Sequence, residues 1–562
     1  MTTSTRAPRR ATAHEAAPRR SWLRRHWLMV LAVLVAAALR VVVMVAYQPA
    51  LLFPDAVRYL IQAHHFYLSS VRPSFYPLLL VPVVRVTDSL VPIAAAQHLL
   101  GLALSVVAYR FLLRRGLPPW GATLGVLPLL LDPLQIALEQ FVLSDVFFEV
   151  LLVGACLTVL WKHRPSLGRL AMAGLLVGLA GITRGAGAFL IVIFVVALLC
   201  LRVSWVKLVA FVMAAVIPMG IYATCYYATT GEFALVNAGP RFLYSRIAPI
   251  AHCHGDPLPA YQRQLCPPGP VSQRHDANWY MWYRRHWVQY KIKPSHGMTQ
   301  LQIIKDFDKR VIRAEPLVYT KAVLKDAAVG FAPSRTAEVP GYPASYWLMD
   351  DHYFPLDTFP ARGARWKAEY HYSYDPSAAS FMKTYRQLLW TPGPLMALLL
   401  VVAAVAAAGF GRARRSGDRV AIGLLAGSCA IVLLTGAAFS GFSWRYQLTQ
   451  IPLIPMAGAL AVAVLLRGRA TGTPEPAPPL RVLDRVADRI SRRAADRGRL
   501  QLVVAAVLGA MAGVVFAAAA LASGFAAVQT AALLGAAFGV FVVVLLVVAR
   551  ARSAEATGGR GG

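Results

Sequence analysis

At 562 residues, 57% hydrophobic and only 15% charged, the chain carries far more apolar side chain than a soluble fold of its size needs for a core. A net charge of +31 raises nucleic acid as a partner, but the basic residues lie between apolar runs and no nucleic-acid-binding module accompanies them. Composition therefore excludes an ordinary soluble domain and offers nucleic acid no support.

A hydrocarbon layer about 30 Å thick takes roughly 20 helical residues to cross. Runs of that kind predict an all-α polytopic membrane protein of about 12 transmembrane helices, over 27–47, 94–113, 118–132, 140–160, 169–184, 186–201, 204–227, 392–411, 420–440, 447–466, 501–522 and 526–549. The fifth and sixth form one apolar stretch, divided at Thr183-Arg184-Gly185. Residues 1–26 are a basic tail, and the run after it is read as a retained helix, because Tyr47-Gln48-Pro49 offers no small-x-small cleavage site. Arg24 and Arg25, Arg114 and Arg115, Lys162 and Arg164, Arg202 and Lys207, the run 412–419, the segment 467–499 and Arg550 with Arg552 all fall on one side of these spans. The positive-inside rule makes that side cytoplasmic, with both termini on it. Composition rich in Ala, Arg and Gly points to a bacterial plasma membrane.

Seven segments follow. After the tail comes a transmembrane module, 27–227, with a first outer loop at 48–93 and a short one at 132–140. Residues 228–391 form an extracytoplasmic domain, mixed α/β or α, dense in aromatic residues. Three helices occupy 392–466. A basic linker follows at 467–500, where Leu483, Val486 and Ile490 recur at helical spacing as in an interfacial amphipathic helix. A hairpin at 501–549 carries Gly509 and Gly513, and 550–562 is a tail. Cys253 and Cys266 in the outer domain are read as a disulfide, with a metal site from His252, Cys253, His254, Asp256 and Cys266 as the alternative.

Charges at membrane depth or at its rim are costly, so they mark candidate sites. Asp55 follows Pro54 at the head of an expected helix that also carries Arg58, Tyr59, His64 and His65; its plainer role is a first-turn acid at the positive helix end. Glu139 heads the fourth span, with Asp145 two turns in and Glu149 one turn deeper, the last two sharing a face. Arg184 ends the fifth span and Arg445-Tyr446 opens the tenth. Carboxylates and guanidinium groups from separate helices thus meet on one rim, as an anionic substrate requires, although mutual ion pairing that only holds helices together uses the same residues.

The segment Asp55 to Tyr59 with Ala63, followed by Arg72-Pro73-Ser74-Phe75-Tyr76-Pro77-Leu78, resembles the first outer loop of GT-C superfamily glycosyltransferases, in particular the protein O-mannosyltransferase and aminoarabinose-transferase branch. Leu143-Ser144-Asp145 resembles that branch's Leu-Ser-Glu element and Thr183-Arg184-Gly185-Ala186-Gly187 its Thr-Arg-Pro-x-Gly turn; Ala56 stands where a second acid is common. The resemblance implies transfer of a sugar from a polyprenyl-phosphate donor to an outer-face glycan, lipid or protein acceptor, with inversion. On that footing Asp55 is the general base, and Arg184, Arg445 and Arg58 hold the donor phosphate. Tyr59, His64, His65, Arg72, Tyr76, Glu139, Asp145 and Tyr446 contact substrate. No cofactor is required; Asp55, Glu139 and Asp145 are the oxygens a divalent cation, magnesium or manganese, would take. The alternative is a transporter or lipid flippase, which uses membrane-embedded charges as a path and brings broken helices with it.

Overall fold

A computed structural model describes residues 19–253, 258–282, 288–335, 347, 349 and 372–467. The last two expected spans and the amphipathic segment lie outside them. Among the described residues five helices are long and apolar enough to cross a membrane, or seven if each of two bent pairs counts as one span.

Helix α1 (Arg19–Ala46) starts eight residues before its apolar run, carrying Trp22 and Trp27 exposed near its basic end. Those rings suit a headgroup boundary. The segment 48–93, expected as a first outer loop, folds into α2 (Pro54–His64) and α3 (Phe75–Val86), and α4 (Val91–Arg114), long and apolar enough to cross a membrane, follows. Helix α5 (Pro119–Leu131) breaks by 46° into α6 (Pro133–Gln140). Pro133 disfavours a helical Asp132, and the Asp132 side chain instead caps α6 by accepting from Leu134 N at 2.9 Å. Residues 132–140, expected as a short loop, are therefore a buried helix.

The fourth span begins later than expected, as α7 (Ser144–Leu160). Before it the chain is extended: Leu51 N bonds Gln140 O at 2.9 Å and Val142 N bonds Leu51 O at 3.0 Å. This pairing moves Asp145 from two turns inside the helix to its first turn, where an acid meets the positive helix end. Helix α8 (Leu167–Thr183) stops before Arg184, a 3-10 turn covers Gly185–Phe189, and α9 (Leu190–Cys200) follows. Helix α10 (Trp205–Thr230) lies against α8 so closely that a Cβ on Gly174 or Gly178 would fall 2.1 Å from Phe211 O or 2.4 Å from Ala215 O. Small residues four apart allow that approach.

The described part of 228–391 is helical: α11 (Gly239–Ile247), α12 (Ala260–Arg263), α13 (Ala277–Trp282), α14 (Gln300–Ala314), α15 (Pro316–Val329) and α16 (Pro376–Leu388). Tyr244, Leu265, Tyr280, Ile303, Ile304 and Phe307 form its own core. Strand β1 (Tyr47–Gln48) pairs antiparallel with β2 (Ser373–Tyr374), tying the end of α1 to the end of this region. Helix α16 meets α17 (Gly393–Ala408) at 51°, and α18 (Arg419–Phe439), a 3-10 turn (Trp444–Thr449) and α19 (Gln450–Arg467) complete the described chain. Arg335 clamps the arrangement, donating to both Asp132 oxygens at 2.7 and 2.9 Å and to Gln447 Oε1 at 2.9 Å.

Candidate functional site: a guanidinium and carboxylate ladder

Five separate stretches of chain deliver charge to one place. The α2 N-terminus brings Asp55, Arg58 and Tyr59; the loop before α3 brings Arg72; the first turn of α7 brings Asp145; and the breaks at 184 and 444–449 bring Arg184 and Arg445. Arg445 Nη1 donates to Asp55 Oδ2 at 2.8 Å, while its Nε lies 3.7 Å from Asp145 Oδ1. Arg72 pairs with Asp55 Oδ1, and Arg184 with Asp145 Oδ1. The result is an alternating row, Arg72, Asp55, Arg445, Asp145, Arg184.

Aromatic faces hold the guanidinium groups in place by cation–π contact. Arg445 lies 5.2 Å from the Trp347 ring and 5.8 Å from Tyr446; Arg184 lies 5.5 Å from Tyr446 and 5.8 Å from Phe148. Arg58 and Arg72 share the Trp282 ring at 5.4 and 6.0 Å. Trp282 and Trp347 both come from the segment 228–391, so that segment packs against the ladder. Side-chain exposure grades along the row: 8% for Arg445 and 6% for Asp55, against 18% for Arg72 and 20% for Arg184. The ends are the accessible parts.

Burial alone would raise the Asp55 carboxyl, but Arg72 and Arg445 outweigh it and, with Arg58 nearby, hold Asp55 below the usual carboxylate range. Asp55 is therefore ionised and pinned. Tyr59, buried beside it, is pushed up by burial and shares a 3.2 Å hydrogen bond with Ser144 Oγ. With Arg58 included, four guanidinium groups face two carboxylates, so the ladder keeps positive charge in excess. Poorly hydrated, positively charged and aromatic-backed, it has the chemistry to hold a phosphate.

Of the other sequence candidates, Glu139, His64 and His65 sit away from the ladder, while Tyr76 and Tyr446 adjoin it. Glu139 is not at the head of the fourth span; it lies in α6 and is fully buried, taking Arg40 Nε and Nη2 at 2.8 and 2.9 Å, His98 Nδ1 at 2.9 Å and Gln135 Nε2 at 3.0 Å. His64 and His65 are exposed at the far end of α2, about 13 Å along the helix from Asp55. Tyr76 is buried and donates to Gln97 Oε1 at 3.0 Å, with its ring 5.3 Å from Tyr59. Tyr446 lies between Arg184 and Arg445, its hydroxyl 3.2 Å from Ser440 Oγ.

The oxygens proposed for a divalent cation are divided between two clusters. Both Asp55 oxygens face guanidinium groups, Asp145 Oδ1 faces two, and Glu139 belongs to the Arg40 cluster. Among the described residues no group of three or more His, Cys, Asp or Glu could hold a metal. Within 228–391 Cys253 and Cys266 are joined as a disulfide, which removes two ligands from the metal alternative, and His252 Nδ1 instead pairs with Glu315 Oε2 at 2.7 Å. His254 and Asp256 lie outside the described residues.

Sequence reasoning missed the Arg40, His98 and Gln135 cluster and the Asp132–Arg335 clamp. For the first there was a signal: Arg40 is the one charged residue within the apolar run 27–47. Arg335 and Asp132 are 203 residues apart, and nothing local links them.

No family model matches the chain, and no curated protein does. Among solved structures it is similar to the apo oligosaccharyltransferase of Archaeoglobus fulgidus, at 15% identity and a TM-score of 0.37, over 90% of this chain and 57% of that one. The same enzyme tethered to an acceptor peptide containing the NVT sequon gives 14% and 0.37, over 90% and 56%. The archaeal oligosaccharyltransferase AglB of that organism, with an inhibitory peptide and a dolichol-phosphate, gives 15% and 0.36, over 90% and 56%. The chain thus spans a little over half the length of these proteins.

Proposed function

We propose that the protein is a membrane glycosyltransferase of GT-C type that moves a sugar from a polyprenyl-phosphate donor to an acceptor on the extracytoplasmic face, with inversion. The observation that carries this reading is the ladder: guanidinium groups in excess over carboxylates, gathered where apolar helices meet a polar outer region. Arg184, Arg445 and Arg58 hold the donor phosphate, on which charge builds as the glycosidic bond breaks. Tyr59, Arg72 and Tyr446 border that place, and Asp145 orients Arg184 and Arg445.

Asp55 is the general base. Clamped by Arg72 and Arg445, it is a weak one. A phosphate that draws these guanidinium groups toward itself loosens the clamp and raises the basicity of Asp55 when the donor is present. The incoming hydroxyl or amine then loses its proton to Asp55 as it attacks the anomeric carbon and the lipid phosphate departs. No step is routed through a metal ion.

To test this, Asp55→Asn is purified in detergent and assayed with labelled polyprenyl-phosphate sugars, expecting turnover to fall at least about a hundredfold. Undiminished turnover removes Asp55 from the base role.

A transporter or flippase has two observations in its favour, the 46° and 51° helix breaks and the buried Arg40, Glu139 and His98 cluster. It predicts lipid movement across proteoliposomes without glycosyl transfer.

A further inference from the structure

One buried acid has no place in the ladder. Glu149, fully buried one turn below Asp145 on α7, accepts a hydrogen bond from Gln135 Nε2 at 2.9 Å through Oε2, and its Oε1 has no donor. The groups around it are of the wrong sign to hold a charge. Glu139 on α6 shares the same Gln135 amide at 3.0 Å, and Asp145 lies above it on the same face. The cations nearby are committed. Arg40 on α1 gives Nε and Nη2 to Glu139 and Nη1 to the carbonyls of Ala36 and Leu130; His98 on α4 is held by Glu139 and Gln140. An ionised Glu149 would be a buried anion between two carboxylates with no cation bonded to it, at a cost of several kcal/mol. A neutral one has a hydroxyl, which needs an acceptor.

Asp145 Oδ2 is buried without a donor, while Oδ1 serves Arg184 and faces Arg445. Gln135 Oε1 also lacks a donor, but a hydrogen bond to a charged oxygen is the stronger. We infer that Glu149 is a protonated, neutral carboxyl whose hydroxyl is donated to Asp145 Oδ2, and that it is a positioning residue for the carboxylate that sets Arg184 and Arg445. Its effect on a phosphate ligand rests on the glycosyl-transfer reading; the hydrogen bond itself does not.

Two measurements on the full chain in detergent decide it. In infrared difference spectra at neutral pH, the carbonyl-stretch band of a protonated carboxyl should vanish in Glu149→Gln and shift in Asp145→Asn. Glu149→Gln keeps a neutral donor and should bind a short-chain polyprenyl phosphate like the wild type. Glu149→Leu has no donor and should bind about tenfold more weakly. A band that survives in Glu149→Gln, or wild-type affinity in a folded Glu149→Leu, overturns the inference. If Glu149→Leu fails to fold, the band and the Gln variant still decide. A wild type that binds no polyprenyl phosphate counts against the glycosyl-transfer reading, and the band then decides the Glu149–Asp145 bond alone.

Discussion

Arg445→Gln tests the ladder most severely, because this guanidinium faces both carboxylates, 2.8 Å from Asp55 and 3.7 Å from Asp145. Removing one member of a buried ion pair costs about 3–5 kcal/mol when its partner is left alone. Here Asp55 keeps Arg72 and Asp145 keeps Arg184, so a loss of about 2 kcal/mol is expected. At about 2 °C per kcal/mol for a large domain, the melting midpoint in detergent should fall by about 4 °C. Donor affinity should fall more, by about tenfold or greater, since a charge-assisted contact to phosphate is lost as well. Asp55→Asn added to Arg445→Gln should cost less stability than the sum of the two single variants, because both remove the same ion pair, and should restore none of the activity. The assay is tryptophan-fluorescence melting of the two single variants and the double, beside transfer of labelled sugar. Strict additivity in stability, or full donor affinity in Arg445→Gln, would refute the reasoning.

Three further outcomes follow from other parts of the fold. Asp308 is buried with neither oxygen bonded, and burial raises its carboxyl well above the usual range, so the folded state binds this proton more tightly than the unfolded chain. Stability is therefore lost as pH rises above about 4, and Asp308→Asn should raise the midpoint at neutral pH, with the gain vanishing below about pH 4 in a melting series. Gly101→Ala would put a Cβ 1.9 Å from Glu139 Oε1, driving that carboxylate off Arg40; the midpoint should drop by the equivalent of about 1–3 kcal/mol. Arg335→Ala leaves buried Asp132 without its cation, at a cost of about 3–5 kcal/mol, and limited proteolysis should then cut the segment 228–391 faster.

Much of the helical plan is legible because hydropathy reports apolar length directly. The division at Thr183-Arg184-Gly185 shows as well, since an arginine followed by Gly-x-Gly is a poor continuation of an apolar helix, and the helices do separate there. Where local pattern fails, a long-range contact is responsible. Residues 140–160 read as one run with Glu139 at its head, yet backbone pairing with Leu51 holds Phe141 to Leu143 extended, so Glu139 turns into the Arg40 cluster and Asp145 becomes a first-turn residue. The meeting of Asp55 with Arg445, 390 residues away, was inferable only as a shared membrane side. That it forms a row closed by Trp282 and Trp347 could not be inferred, because those rings come from a region with no periodic signal tying it to the helices.

The central claim is that the ladder recognises a lipid phosphate. The most direct measurement is titration of the purified protein with a polyprenyl phosphate and, separately, with the uncharged polyprenol of the same length, for wild type and Arg184→Ala. The wild type should prefer the phosphate by at least about tenfold, and Arg184→Ala should erase most of that preference with its melting midpoint falling no further than that of Arg445→Gln. Equal affinity for the two lipids, or an undiminished preference in Arg184→Ala, would contradict it.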